Sequence, residues 1–284
     1  MRRLFAATAL VVAASLTSTV ASAPFASAPF ASAQPDAQPA GAVVGPPDGP
    51  AQAWLVADLD TGAVLAAKNP NGSYAPASTI KPLLAMVVLD NINPNSFARA
   101  NKSHTEVECS CVGLTPGQPY TTTQLLAALL MVSGNDAANM LADMLGGQAV
   151  AVARMNAKAG QLGARSTKAS SPSGLDGPGW ETVTTPHDLA VIYRQALKYP
   201  LIAQIFASKS AAFPGKTLTA QNELLTRYPG AFAGKTGFTN LAKNTYVGAA
   251  QRNGRRLLVV EMYGSGDLYG QAIGLFDWGF SRYR

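Results

Sequence analysis

Tyr74-Ala75-Pro76-Ala77-Ser78-Thr79-Ile80-Lys81 is a Ser-x-x-Lys leading into an apolar run in which Leu83, Leu84, Met86, Val87 and Leu89 recur at helical spacing. Pro76 favours an extended residue before it and closes the preceding loop, so a helix is predicted over about 78–91 with Ser78 in its first turn. Residues three apart share a helix face, which brings the Lys81 ammonium within reach of the Ser78 hydroxyl. Unpaired N–H groups and the helix dipole favour negative charge at that end. A free serine hydroxyl is a weak nucleophile, and the chain has only two histidines. An amine kept neutral by burial, or by a second cation, is the available base. A Ser and a Lys three apart also arise by chance about once in a chain this long, so the meaning rests on their company.

Upstream, Met1-Arg2-Arg3 heads an apolar run from Leu4 to Val20 that is short for a membrane span and broken by Ser and Thr. It has the form of a secretory leader. Ala-Ser-Ala recurs at 21–23, 26–28 and 31–33, and the cut is expected at Ala33-Gln34 because the earlier copies are followed by Pro. The expected organisation is a leader over 1–33, a flexible Pro/Gly/Ala-rich tether over 34–50 and a single catalytic domain over 51–284. The formal charge of +6 falls to +4 once Arg2 and Arg3 are gone, since no acid leaves with them. So mild an excess, with no Lys/Arg block, excludes a nucleic-acid binder.

Downstream of the tether, Trp54 to Leu59 and Ala63 to Ala67 read as two strands around Asp60-Thr61-Gly62. Residues 92–121 read as polar loop and hold both cysteines, as Cys109-Ser110-Cys111. An exported protein most simply oxidises such a pair, although one intervening residue makes a small, strained ring. Zinc with His104 is the weaker alternative for want of ligands, so no metal or other cofactor is expected. Thr121-Thr122-Thr123 caps an apolar helix ending at Ser133-Gly134-Asn135, and a second helix starts at once, from about Asp136 to Leu145. A polar turn between two apolar helices either joins them or presents side chains to a cleft. Helices are predicted at 150–162, 186–198 and 201–207, with His187 a helix-start residue after Thr185-Pro186. Period two then takes over: Ala231 to Thr239, Asn244 to Arg252 and Arg255 to Tyr263 read as antiparallel strands. Asn253-Gly254 joins the last pair, and a helix over Leu268 to Phe280 closes the chain.

Ser78-Thr79-Ile80-Lys81, Ser133-Gly134-Asn135 and Lys235-Thr236-Gly237 stand in the order that penicillin-binding proteins and class A β-lactamases share. The segments Tyr74 to Lys81, Leu125 to Asn139, Ser171 to Ala190 and Gly234 to Ala250 resemble the low-molecular-mass serine D-alanyl-D-alanine carboxypeptidases of bacterial cell-wall metabolism. The likeness runs from about 53 to 280. It implies an α+β fold: an antiparallel sheet of about five strands flanked by helices, with a mostly helical subdomain and the active site between. It further implies that Ser78 attacks the penultimate D-alanine carbonyl and that Lys81 takes its proton. Ser133 would relay that proton to the leaving amine, and Asn135 would hold the substrate's amide. Lys235 and Thr236 would bind the terminal carboxylate. The N–H groups of Ser78 and of Phe238, next after Gly237, would form the oxyanion hole. The implied partners are peptidoglycan stem peptides ending in D-Ala-D-Ala, with β-lactams as covalent inhibitors.

The sequence departs from relatives at three places. Pro82 follows Lys81 and removes a donor, which suggests a bend. Lys243 stands where relatives have Gly, and residues 264–272 lack an Arg that some use on the carboxylate. Class A β-lactamases carry a deacylating Glu about 36 residues after the second motif. Here that region is Arg165-Ser166-Thr167-Lys168-Ala169-Ser170-Ser171, so fast β-lactam hydrolysis is not expected. A non-catalytic binding module is disfavoured by the intact Ser78, Lys81 and Lys235. The leader, with no lipidation Cys near the cut and no later apolar span of about 20 residues, predicts release outside the membrane without a transmembrane anchor.

Overall fold

The computed structural model describes the backbone of residues 31–32 and all of residues 45–282. In chain order the strands are β1 (Ala31–Ser32), β2 (Ala51–Asp58), β3 (Ala63–Lys68), β4 (Phe97–Arg99), β5 (Pro119–Thr121), β6 (Ser210–Phe213), β7 (Lys216–Thr219), β8 (Ala231–Thr239), β9 (Lys243–Arg252) and β10 (Arg255–Gly264). The helices are α1 (Lys81–Asn91), α2 (Lys102–Thr105), α3 (Thr122–Met131), α4 (Asn135–Met144), α5 (Gln148–Leu162), α6 (Pro186–Ala196), α7 (Pro200–Ala207), α8 (Leu224–Arg227) and α9 (Leu268–Ser281). The main sheet runs β1-β3-β2-β10-β9-β8. Its five long strands are antiparallel, and the two-residue β1 adds to the β3 edge in parallel.

The sheet is covered on both sides, which is why its central strands read as near-continuous apolar runs. Along β10, Leu258, Val260 and Met262 join a core with Leu84 of α1, Leu126 of α3, Leu141 of α4 and Ile192 of α6. Leu257 and Val259 point the other way, to Leu275 and Phe276 of α9. Lys81 through Val88 are all buried, so α1 is the central rod of the helical region and has no solvent stripe. Asn253 and Gly254 both adopt positive φ, the turn that matches strand twist between β9 and β10.

Two expectations are corrected, the tether over 45–50 and the loop over 92–121. Residues 45–50, assigned to the tether, lie against the domain: Asp48 pairs with Lys68, and the Pro50 carbonyl accepts from Ser265. A Pro/Gly-rich segment docks when the surface beneath supplies the contacts. The backbone of Ala31–Ser32, inside the expected leader, pairs with β3, whose edge offers unpaired groups to any extended segment. The rest of the leader and of the tether lies outside the described residues. Segment 92–121 is no plain loop but carries the β4–β5 ribbon and α2, and a β6–β7 hairpin and α8 were also unforeseen. Elements of three or four residues are too short to display a period. Among the described residues, no helix is long and apolar enough to cross a membrane.

Candidate active site

Ser78 sits in a 3-10 turn, Ala77–Ile80, one turn ahead of α1 and not in α1 itself. Pro82 is therefore the second helical residue, where a backbone N–H has no intrahelical partner to lose, and the bend it suggested is not required. The turn is held from several sides. Thr79 and Thr245 hydroxyls both donate to the Pro76 carbonyl, at 2.7 and 2.9 Å, and the Tyr193 hydroxyl of α6 donates to the Thr79 carbonyl at 2.9 Å. Ala77 takes a positive φ of 49°, an uncommon state for a residue with a Cβ. Gly174 packs so closely that a Cβ there would lie 2.0 Å from the Ala77 carbonyl oxygen. On the other side, a Cβ on Gly237 would lie 2.8 Å from the Ser78 nitrogen. The third residue of the Lys-Thr-Gly segment is thus the one that lets β8 approach the Ser78 backbone.

Lys81 Nζ lies 2.6 Å from Ser78 Oγ, 2.8 Å from Asn135 Oδ1 and 3.4 Å from Ser133 Oγ. Lys235 Nζ donates to Ser133 Oγ at 2.9 Å and to the Thr236 carbonyl at 2.7 Å. Ser133, at a positive φ of 63°, thus stands between the two amines at the α3–α4 junction. Both lysines are buried, which disfavours their charged forms. Burial and then the Lys235 ammonium hold Lys81 well below the ordinary lysine range, against an upward pull from Asp136. Burial pushes Lys235 down to about 7. Free-base amine beside a serine hydroxyl is the state that general-base activation needs.

The cleft, about 360 Å³, is lined by Ser78, Ser133, Asn135, Thr236, Gly237 and Phe238, with Phe238 exposed at its mouth. All eight residues expected at the site, Lys81 and Lys235 included, converge here. The opposite wall was not foreseen: Glu108, Cys109 and Ser110 line it, and Gly174 and Leu175 close one end. Cys109 and Cys111 are joined by a disulfide. The Asn135 N–H donates to the Ser110 carbonyl at 2.7 Å, and Asn135 Nδ2 to the Glu108 carbonyl at 2.7 Å. In sequence, only the proximity of Cys-x-Cys to the second motif hinted at this wall. His104 stands apart, capping α2 with Asn101 and facing Asp143 at 3.3 Å. Segment 165–171 is tied to α6, its Ser166 N–H and Thr167 hydroxyl donating to Asp188 Oδ2.

A serine beside a buried lysine whose charged form is disfavoured, set in a cleft between an antiparallel sheet and a helical region, defines a serine hydrolase of the acyl-enzyme kind. The chain belongs to the peptidase S11 family of D-alanyl-D-alanine carboxypeptidases, whose model matches residues 40–266. It is 57% identical over 258 residues to the D-alanyl-D-alanine carboxypeptidase DacB2 of Mycobacterium tuberculosis, covering 88% of each chain. A crystal structure of D-alanyl-D-alanine carboxypeptidase from Mycobacterium tuberculosis superposes with a TM-score of 0.83 at 56% identity, over 87% of this chain and 96% of that one. The Streptomyces K15 DD-transpeptidase superposes at 0.79 with 27% identity, over 84% of this chain and all of that one.

Proposed function

We propose that the protein removes the terminal D-alanine from peptidoglycan stem peptides through an acyl-enzyme on Ser78. The observation that carries this is the 2.6 Å contact between Ser78 Oγ and a Lys81 amine buried away from water. Lys81 takes the hydroxyl proton as Oγ bonds to the penultimate D-alanine carbonyl carbon. The Ser78 and Phe238 N–H groups receive the oxyanion, each such donor contributing about 3–4 kcal/mol. The C–N bond then breaks, and Ser133, in contact with both amines, passes the proton to the departing D-alanine amine. Water completes the cycle by attacking the ester, with the proton returning along the same path.

Lys235 and Thr236 face the substrate carboxylate, so that a cation fixes its register. Asn135 commits one Nδ2 hydrogen to Glu108 and keeps the second for the substrate's amide. A β-lactam presents a carbonyl and a carboxylate in the same relation, the carbonyl strained by its four-membered ring, and acylates Ser78. Of the residues lining the cleft, Glu108 is the one acid, on the exposed rim, so nothing like the β-lactamase carboxylate activates water behind the ester. The leader over 1–33 directs the 51–284 catalytic unit outside the cytoplasmic membrane, where these peptides lie. Mass spectrometry with benzylpenicillin tests the reading: a persistent adduct on Ser78 is expected, and either rapid turnover or no adduct overturns it.

A further inference from the structure

Asp136 follows Ser133-Gly134-Asn135 directly, and none of the steps above uses it. Its side chain is 1% exposed, yet it is not idle. Oδ1 accepts the Val112 and Ala137 N–H groups, both at 2.9 Å, and Oδ2 accepts those of Gly113 at 2.7 Å and Leu114 at 3.0 Å. Three of these donors come from the backbone just after Cys111. The disulfide carries that anchorage back across Ser110 to Cys109, and so to the wall of the cleft. There the Ser110 and Glu108 carbonyls hold the Asn135 N–H and its Nδ2. An amide whose Nδ2 is held this way turns Oδ1 to the opposite side, where Lys81 Nζ waits at 2.8 Å. The orientation of the general base therefore runs through Asn135 and the loop to one buried carboxylate. The charged groups that bear on Lys81 are Lys235 on β8 and Asp136 on α4. Its other polar contacts, Ser78, Ser133 and Asn135, carry no charge.

We propose that Asp136 is a positioning residue for acylation: it clamps residues 112–114, so that the cystine loop fixes Asn135 and Asn135 aims Lys81 at Ser78, while its charge bears on Lys81. The inference rests on acylation of Ser78 as read above. Asparagine is the discriminating replacement, because it keeps the shape but turns an NH₂ toward backbone donors and removes the charge.

Stopped-flow acylation by a chromogenic penicillin, resolved into the dissociation constant of the first complex and the acylation rate constant, tests it across pH. For Asp136→Asn the dissociation constant is expected to stay within about threefold, since Lys235 and Thr236 remain. The rate constant is expected to fall about 10- to 100-fold, a part of what positioned proton transfer supplies. The acid limb should move to lower pH, because losing the anion lowers Lys81 further. A rate constant within twofold of native overturns the inference. So does a slower rate with an unmoved acid limb, which is what a purely structural anchor gives. Should Asp136→Asn not fold, the pair Cys109→Ser and Cys111→Ser frees the same loop from its exposed end. The same split between binding and acylation is then expected, and native acylation overturns the inference. Native protein is measured first; if it forms no Ser78 adduct, the functional reading itself fails, and the inference with it.

Discussion

Replacing Lys81 by alanine removes three polar contacts at once, and their consequences separate. Ser78 loses the amine 2.6 Å away, and with it the means of shedding its proton. Positioned proton transfer supplies about 10²–10⁴ in rate, so acylation should slow by that factor, equivalent to about 3–5 kcal/mol of barrier. Asn135 Oδ1 is left buried without its partner, which costs about 1–3 kcal/mol of stability. Against this, a lysine with 0% exposure no longer has to be stripped of water. The two stability effects oppose each other, so the fold should survive with a net change within about 2 kcal/mol. The assay is the second-order acylation constant with benzylpenicillin and with a D-Ala-D-Ala peptide, alongside urea unfolding of the same samples. A folded Lys81→Ala protein that acylates at near the native rate would refute the assignment of Lys81, and leave Ser78 an ordinary residue of a 3-10 turn.

Two further outcomes follow from the buried ionisable groups. With its amine titrating at about 7 in the free enzyme, Lys235 loses its charge as pH rises through neutrality, so kcat/KM for a peptide with a free terminal carboxylate should decline above pH 7. An ester of that peptide should lack the decline and tolerate Lys235→Ala better; equal profiles for the two substrates would remove Lys235 from carboxylate recognition. Glu261 is fully buried beneath α9 with both oxygens unpartnered, and burial followed by Asp267 raises its carboxyl well above the usual range. A raised carboxyl means that folding takes up a proton, so stability is highest below the unfolded pKa. It falls by about 1.4 kcal/mol per pH unit above that point, until the folded group itself ionises. Glu261→Gln should unfold at higher urea than native, by a margin that widens between pH 5 and pH 7, and a constant margin would contradict the account.

The chain's local patterns carried much of this protein. Period-two runs placed β8, β9 and β10 to within a residue or so, Asn253-Gly254 fixed the hairpin, and three short polar segments hold seven of the eight residues that meet at the cleft, Phe238 following from the family resemblance. Propensity and turn chemistry act between neighbours in sequence, so sequence displays them.

What only the tertiary structure decided depends on distant partners. Ser133 meets Lys81 across 52 positions and Lys235 across 102, and the neutral amine that the chemistry needs arises from burial among those partners. Asp136 stood in the sequence only as the first residue of a helix, and nothing local foretold that it would reach back to residues 112–114. Glu261 lies within the strand read over Arg255 to Tyr263, and it is buried because α9 returns over that face. Burial and charge at a given side chain are sums over everything packed around it, which is why the motifs were legible in one dimension and their protonation states were not.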